Sequence, residues 1–283
     1  QLCRTLTQFE PDRLIMLDRD ENALHALQLS LEGKALLTSD DLVLCDIRDR
    51  AAVQTVFEAM HPEVVFHAAA HKHVTFLERF PTEGQKTNVD GTRNVVGAAL
   101  SVGTETFVNI STDKAADPIS VLGRTKREAE LITAATDQGA DGRFLSVRFG
   151  NVHGSNGSVI PTFIEQLEAG EPLTVTHKDA TRYFMTVDEA VLLVLQAGAL
   201  AEGGDVLVLD MGDPVSINDL AIRLSRRLNP HAEPNIVYTG LRPGEKLHEQ
   251  LVSGDDEPLS QPHPRLQRFR VVDPAEVEQP ASI

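Results

Sequence analysis

Tryptophan is absent, tyrosine and cysteine occur twice each, and basic residues are scarce beside acidic ones. Each shortage excludes something. Two cysteines, Cys3 and Cys45, cannot build a disulfide framework, so the chain points to a reducing, cytoplasmic setting with both thiols as core residues. With 26 Lys plus Arg against 42 Asp plus Glu, a formal charge of −16, there is no broad basic face for nucleic acid. A local basic pocket for a small polyanion stays open. No apolar run reaches the length of a membrane span. A dinucleotide-binding chain carries a glycine-rich loop about 20 residues before an acidic strand end such as Asp18. Here Gln1 already reads as part of the helix that would follow that loop, so the first strand and the loop are expected to be missing.

What remains is 41% hydrophobic over 283 residues, enough for one large α/β domain or a domain plus a small lobe. Strand-like runs "RLIMLD" (13–18), "LVLCD" (42–46), "VVFHAAA" (64–70), "TFVNIS" (106–111) and "FLSVRF" (144–149) alternate with helical spacing over 21–31, 50–60, 84–102 and 120–136. That rhythm predicts an α/β fold, a Rossmann-like doubly wound parallel sheet over residues 1–158. After "GNVHGSNGS" (150–158) the pattern changes. Helices near 160–169, 187–201, 216–228 and 245–252, with strands at 173–176, 206–210 and 235–239, predict a smaller α/β substrate-binding lobe over 159–252. Residues 253–283, rich in Pro, Asp and Glu, read as a loosely packed tail.

Open parallel sheets bind ligands beyond the carboxyl ends of their strands. Asp18 stands at such an end and suits the ribose 2′-hydroxyl of NAD, although Arg19 beside it would accommodate the 2′-phosphate of NADP. A helix cap is the plain alternative for Asp18. Asp46, Ile47, Ala68, Ala69 and Ala70, at the next strand ends, are candidates for the same cofactor crevice. Further along, "NISTDKAADPISVLGRTKREAE" (109–130) leads from a strand through a polar turn into a helix bearing Lys126. A lysine in that place usually follows a tyrosine four residues earlier, and here the position holds Leu122. His71 and His73 alternate around Lys72 with no third ligand nearby, so no metal site is expected.

The motifs "HAAAHKHV" (67–74), "NVDGTRNV" (88–95), "ISTDKA" (110–115), "RFGNVHGSNGSVIP" (148–161), "TRYFMT" (181–186) and "GLRPGEKLHE" (240–249) occur in order. From residue 1 to about residue 270 the chain resembles the catalytic domain of bacterial UDP-N-acetylglucosamine 4,6-dehydratases, extended short-chain dehydrogenases/reductases of capsule and glycan biosynthesis. The resemblance implies a lyase that turns UDP-N-acetylglucosamine into its 4-keto-6-deoxy derivative with NAD. It also implies that Thr112, Asp113 and Lys114 take over the missing tyrosine's chemistry, Asp113 as acid and Lys114 as base, with Lys126 on the nicotinamide ribose. Burial would push the Asp113 and Lys114 ionisations the way those roles need, their mutual attraction would oppose it, and Lys126 would help depress Lys114. A solvated turn with Asp113 capping a helix is the alternative.

Lys72 and His73 are expected near the sugar, and Asn151, Arg182, Arg242 and Glu245 on the nucleotide diphosphate and ribose. Arginine suits a diphosphate because its planar fork donates two hydrogen bonds at once; Arg242 pairing with a surface carboxylate is the other reading. Large members of the family place methionine where Leu122 stands and are anchored in the inner membrane. They imply a configuration-retaining enzyme, a homo-oligomer and a membrane region outside this chain. A nucleotide-sugar epimerase of the same fold and a non-catalytic NAD-binding regulator are the rival readings.

Overall fold

The central strands send alternate apolar residues to opposite faces, and that alternation sets the layers. The computed structural model describes residues 1–137, 140–153 and 158–271. Its six-stranded sheet runs in the order Glu257–His263, Leu266–Arg270, Asp205–Leu209, Arg143–Arg148, Thr106–Ile110, Val64–His67. The last four are parallel, and the first two add an antiparallel edge. Phe107 and Phe144 stack at 5.3 Å on one face. There, helices Arg50–Met60 and Thr92–Ser101 contribute Val53, Phe57, Val95 and Ala99. One residue along each strand, Val108 and Leu145 face the other way with Leu207 and Leu209, under Leu193, Val194 and Ala197 of helix Val187–Leu200. Each fully buried side chain of this size is worth about 1.5–3 kcal/mol.

Strands Met16–Asp18 and Leu42–Leu44 pair in parallel as a separate two-stranded sheet. Helix Glu21–Glu32 follows, capped by Asp20, whose carboxylate accepts the N–H groups of Asn22 and Ala23. Asp18 is therefore not that helix's cap. The predicted helix over 84–102 is broken: a π-helical stretch, Gln85–Gly91, separates Pro81–Gly84 from Thr92–Ser101.

A second lobe encloses Phe163, Leu173, Val175, Ala180, Ile217 and Ala221 between helices Val159–Glu168 and Ile217–Leu228. It is smaller than the interval 159–252 expected for it. Helix Val187–Leu200 and strand Asp205–Leu209 lie in that interval yet build the main sheet layer. Asp205–Leu209 is buried at every position: Val206 to Leu209 are the apolar run of a central strand, and Asp205 is paired with Arg268. Residues 245–252 form irregular chain rather than a helix, with His248 bridged to Thr181.

The expected loose tail is also corrected where it is described. Residues 257–263 and 266–270 are strands, and Phe269 and Val271 cover Val206 and Val208. Pro258 and Pro262 suggested irregular chain, but they sit on the edge strand, where a missing N–H costs no pairing. Residues 272–283, and 154–157 of the glycine-rich stretch, lie outside the described residues. No described helix is long and apolar enough to cross a membrane.

Candidate active site

In an ideal strand Thr112 and Lys114 would face away from Asp113. The strand stops at Ile110, and a single 3₁₀ turn, Asp113–Ala115, brings all three together. Thr112 Oγ1 accepts the Lys114 N–H at 3.4 Å, so Thr112, not Asp113, is the cap. The Thr112 hydroxyl donates to Asp113 Oδ1 at 2.9 Å, and Lys114 Nζ donates to the same oxygen at 2.9 Å. Two glycines allow neighbouring elements to close on this turn. A Cβ at Gly123 would lie 2.3 Å from the Lys114 carbonyl oxygen; one at Gly150 would lie 2.8 Å from Tyr183 Cβ and 3.2 Å from Asp113 Oδ2.

Asp113 is wholly buried, and its Oδ2 has no hydrogen-bond partner among the described residues. Lys114 Nζ also lies 3.5 Å from Glu249 Oε1, and Arg182 Nε lies 3.9 Å from that oxygen. Burial alone would depress the Lys114 amine, but the carboxylates of Asp113 and Glu249 outweigh it and hold the group above its ordinary value. The opposing cation is Arg182, not Lys126 as the sequence suggested. Lys126 is instead the depressed amine, pushed by burial to about 8 against the pull of Glu130. Its Nζ donates to Asn109 Oδ1 at 3.4 Å. Leu122 is packed with Leu77, Val121 and Val74, so the tyrosine's position is filled by apolar core.

Asp18, Arg19, Asp46, Ile47, Ala68, Ala69 and Ala70 all line one cavity of about 240 Å³. Thr87 lines it too, and its buried Oγ1 has no hydrogen-bond partner among the described residues. The three alanines leave room for a flat ring; of the two carboxylates beside them, Asp18 accepts the Asp20 N–H and Asp46 accepts from the Arg48 guanidinium through both oxygens. These residues fit the adenosine half of a dinucleotide. Asn88, in the π-helical stretch, pins the loop beside the cavity: it accepts the His71 N–H and donates to the His71 carbonyl and to Thr125 Oγ1.

The expected substrate residues are only partly gathered. Arg182 reaches the 112–114 turn through Glu249, while its guanidinium also donates to the carbonyls of Thr181 and Leu247. Asn151 is placed by its N–H bond to the Tyr183 carbonyl. Arg242 is exposed, and its N–H donates to Glu245 Oε2 at 3.1 Å. Lys72 and His73 line a second cavity, of about 370 Å³, with Arg19, His71, Phe76 and Phe80, and not the 112–114 turn.

Sequence reasoning missed Glu249 and a buried ionic cluster behind the turn. Arg148, with no exposure, donates to both Glu130 oxygens at 3.1 and 2.7 Å and to Asp256 at 2.7 Å. Arg127 reaches Asp256 at 2.6 Å, and the Ser111 hydroxyl donates to Glu130 at 2.5 Å. The available signal was a lone arginine ending the apolar strand "FLSVRF", since a buried charge requires a partner.

A family model described as "Polysaccharide biosynthesis protein" matches residues 1–271. A relative named "Probable polysaccharide biosynthesis protein EpsC", from Bacillus subtilis, is 45% identical over 96% of this chain and 46% of its own length. The chain thus spans about half the length of that relative. A Rickettsia rickettsii protein named UDP-glucose 4-epimerase is 37% identical, covering 84% of this chain and 68% of the relative. A Campylobacter jejuni protein named UDP-N-acetylglucosamine 4,6-dehydratase (inverting) is 31% identical, covering 90% and 74%.

Among solved structures, Pen from Bacillus thuringiensis superposes with a TM-score of 0.86 at 32% identity, covering 95% of this chain and 82% of that one. DesIV from Streptomyces venezuelae, a dTDP-glucose 4,6-dehydratase solved with NAD bound, does so at 0.76 and 21% identity, covering 89% and 84%. The latter likeness concerns the fold alone.

Proposed function

Since the chain belongs to the polysaccharide biosynthesis protein family, we propose that it is an NAD-dependent UDP-N-acetylglucosamine 4,6-dehydratase. The carrying observation is the 112–114 turn, where a hydroxyl and an amine meet on a buried carboxylate in a site that lacks the usual tyrosine. Asp18, Arg19, Asp46, Ile47 and Ala68 to Ala70 would hold the adenosine portion, and Lys126 the nicotinamide ribose. Bound there, NAD would accept a hydride from C4 of the sugar and return it to C6.

The chain's own residues move the protons. Thr112 takes the proton of the C4 hydroxyl and passes its own along the 2.9 Å bond to Asp113 Oδ1, leaving Asp113 neutral. That proton is the one the departing C6 hydroxyl needs to leave as water. Lys114, having given its own proton to solvent through its exposed edge, removes the C5 proton made acidic by the adjacent ketone and later returns it. A single base acting on one face keeps the configuration at C5. Arg182, Asn151, Arg242 and Glu245 would clamp the diphosphate and ribose. Lys72 and His73 stand further out, towards Arg19.

A C4 epimerase is the second reading, favoured by the 37% identity to a protein of that name. It would require neither an acid at C6 nor a base at C5. Incubating the full-length protein with UDP-N-acetylglucosamine and following product mass separates the readings. Loss of one water supports the dehydratase, a product of unchanged mass with inverted C4 supports the epimerase, and no product refutes both.

A further inference from the structure

Glu249 has no role in the proposed chemistry, yet it is built into the site. Its side chain is 3% exposed, with Oε1 3.5 Å from Lys114 Nζ and 3.9 Å from Arg182 Nε. Its other oxygen, Oε2, is buried without a hydrogen-bond partner among the described residues. The segment bearing it is anchored on both sides. Lys246 Nζ donates to the Ala116 carbonyl at 2.7 Å, and Ser253 Oγ donates to Asp117 Oδ1 at 2.5 Å. Beyond these, Asp256 joins the buried arginines. Such anchoring places a carboxylate behind the catalytic turn at a defined distance.

We propose that Glu249 is a positioning residue for the dehydration, holding the Lys114 amine in place and stabilising the charge it gains on taking the sugar's C5 proton. The proposal rests on the dehydratase reading. In that step the C5–H bond breaks, its electron pair stays on the sugar as the enolate of the C4 ketone, and the proton goes to Nζ. The new ammonium then lies between Asp113, on its own turn, and Glu249, on the opposite segment. Arg182, from strand Thr181–Arg182, is the cation that faces Glu249 and opposes Lys114. By that point Asp113 carries the relayed proton and is neutral, so Glu249 is the carboxylate left to balance the ammonium. A preformed opposite charge needs no rearrangement as charge develops. Arg182 shares the same oxygen, so a diphosphate arriving on Arg182 would change what Glu249 offers Lys114.

The test compares the parental protein with Glu249→Gln and Glu249→Asp. The Lys114 ionisation is followed by side-chain nitrogen NMR, assigned through Lys114→Met, and the pH profile of water release is measured alongside. Removing a carboxylate at this distance should lower the Lys114 ionisation by about 1–3 pH units. The acid limb of the glutamine variant's profile should move down by the same amount. Its alkaline plateau should fall about tenfold or more, because a weaker base removes the proton more slowly. The aspartate variant should restore most of both. An unmoved Lys114 ionisation in a folded glutamine variant, or a rate lowered equally at every pH, would overturn the proposal. If the parental protein releases no water, the dehydratase reading falls and takes the catalytic half with it. The NMR shift then decides only whether Glu249 governs the Lys114 proton.

Discussion

Arg148→Met is the substitution whose consequence is most directly set by the structure. The guanidinium has no solvent exposure and lies between two wholly buried carboxylates, Glu130 at 2.7 Å and Asp256 at 2.7 Å, with the Leu251 carbonyl at 3.0 Å. Without it, Arg127 alone faces both acids, at 3.6 and 2.6 Å. Breaking a buried ion pair from one side typically costs about 3–5 kcal/mol, because the remaining charge is stranded. At about 2–4 °C per kcal/mol for a protein of this size, the melting temperature should fall by roughly 6–20 °C.

The sign of the pH dependence adds a second check. Burial works to raise the Asp256 carboxyl, but Arg148, the Ser253 N–H and Arg127 overcome it and hold it below its ordinary value. In the parental protein its contribution is present above the unfolded value near 3.9 and is lost as pH falls through the lower, folded value. In the variant the first of those partners is gone and burial weighs more, so protonation favours the folded state. The stability gap between the two proteins should therefore narrow from pH 7 to pH 4. Calorimetry across that range measures it. A gap under about 1 kcal/mol at pH 7, the worth of an exposed pair, would refute the reasoning.

The remaining predictions concern the site. Lys114→Ala should stop water release while C4 oxidation proceeds, so that the absorbance of reduced nicotinamide accumulates when UDP-N-acetylglucosamine is added. Loss of a general base costs about 10²–10⁴ in rate, and dehydration at the parental rate would remove Lys114 from that role. Leu122→Met should leave turnover nearly intact and Leu122→Tyr should bring no gain, because the position packs against Leu77 and Val121; a hundredfold rise for the tyrosine variant refutes this. Lys126 sits at about 8 because it is buried. Its ammonium thus costs the folded state roughly 3 kcal/mol at pH 7, a penalty that fades between pH 8 and the unfolded value near 10.4. Lys126→Met should be more stable than the parental protein at pH 7 and lose that margin by pH 10. Denaturant melts giving the same margin at both would contradict the assignment.

The parallel sheet was legible because its strands are short apolar runs closed by polar residues, a pattern that follows from burial on both faces. The cavity residues were legible for a related reason: strand ends mark the ligand edge. What escaped was every feature that depends on distant chain segments meeting. Nothing near Glu249 in "EKLHEQ" says that it faces Lys114, since the contact joins residues far apart in the chain. The ionisation of Lys114 was misjudged for the same cause, because its second carboxylate was invisible. Asn88 lay inside a quoted motif, yet its bonds to His71 and Thr125 exist only after the π-helical stretch turns it inward.

The stretch after residue 253 shows how composition misleads when an edge strand carries the prolines. Pro and acidic residues lower mean hydropathy, yet Leu266–Arg270 packs on both faces of the sheet, Leu266 in one cluster and Phe269 in the other. Leu266 and Phe269 are buried, and Arg268 bonds Asp205. If the segment is part of the core, Phe269→Ala should destabilise as core aromatic truncations do, by about 3–5 kcal/mol. Phe269 closes the cluster of Val206, Val208 and Val271, so its removal opens a cavity against a central strand. Exposed Gln267 on the same strand supplies the control, and Gln267→Ala should stay within about 0.5 kcal/mol. Chemical denaturation of the two variants separates the cases. Equal, small effects at both positions would mean that the strand only lies along the sheet. A large loss confined to Phe269 means that the sheet depends on it, and with the sheet the anchored segment that carries Glu249.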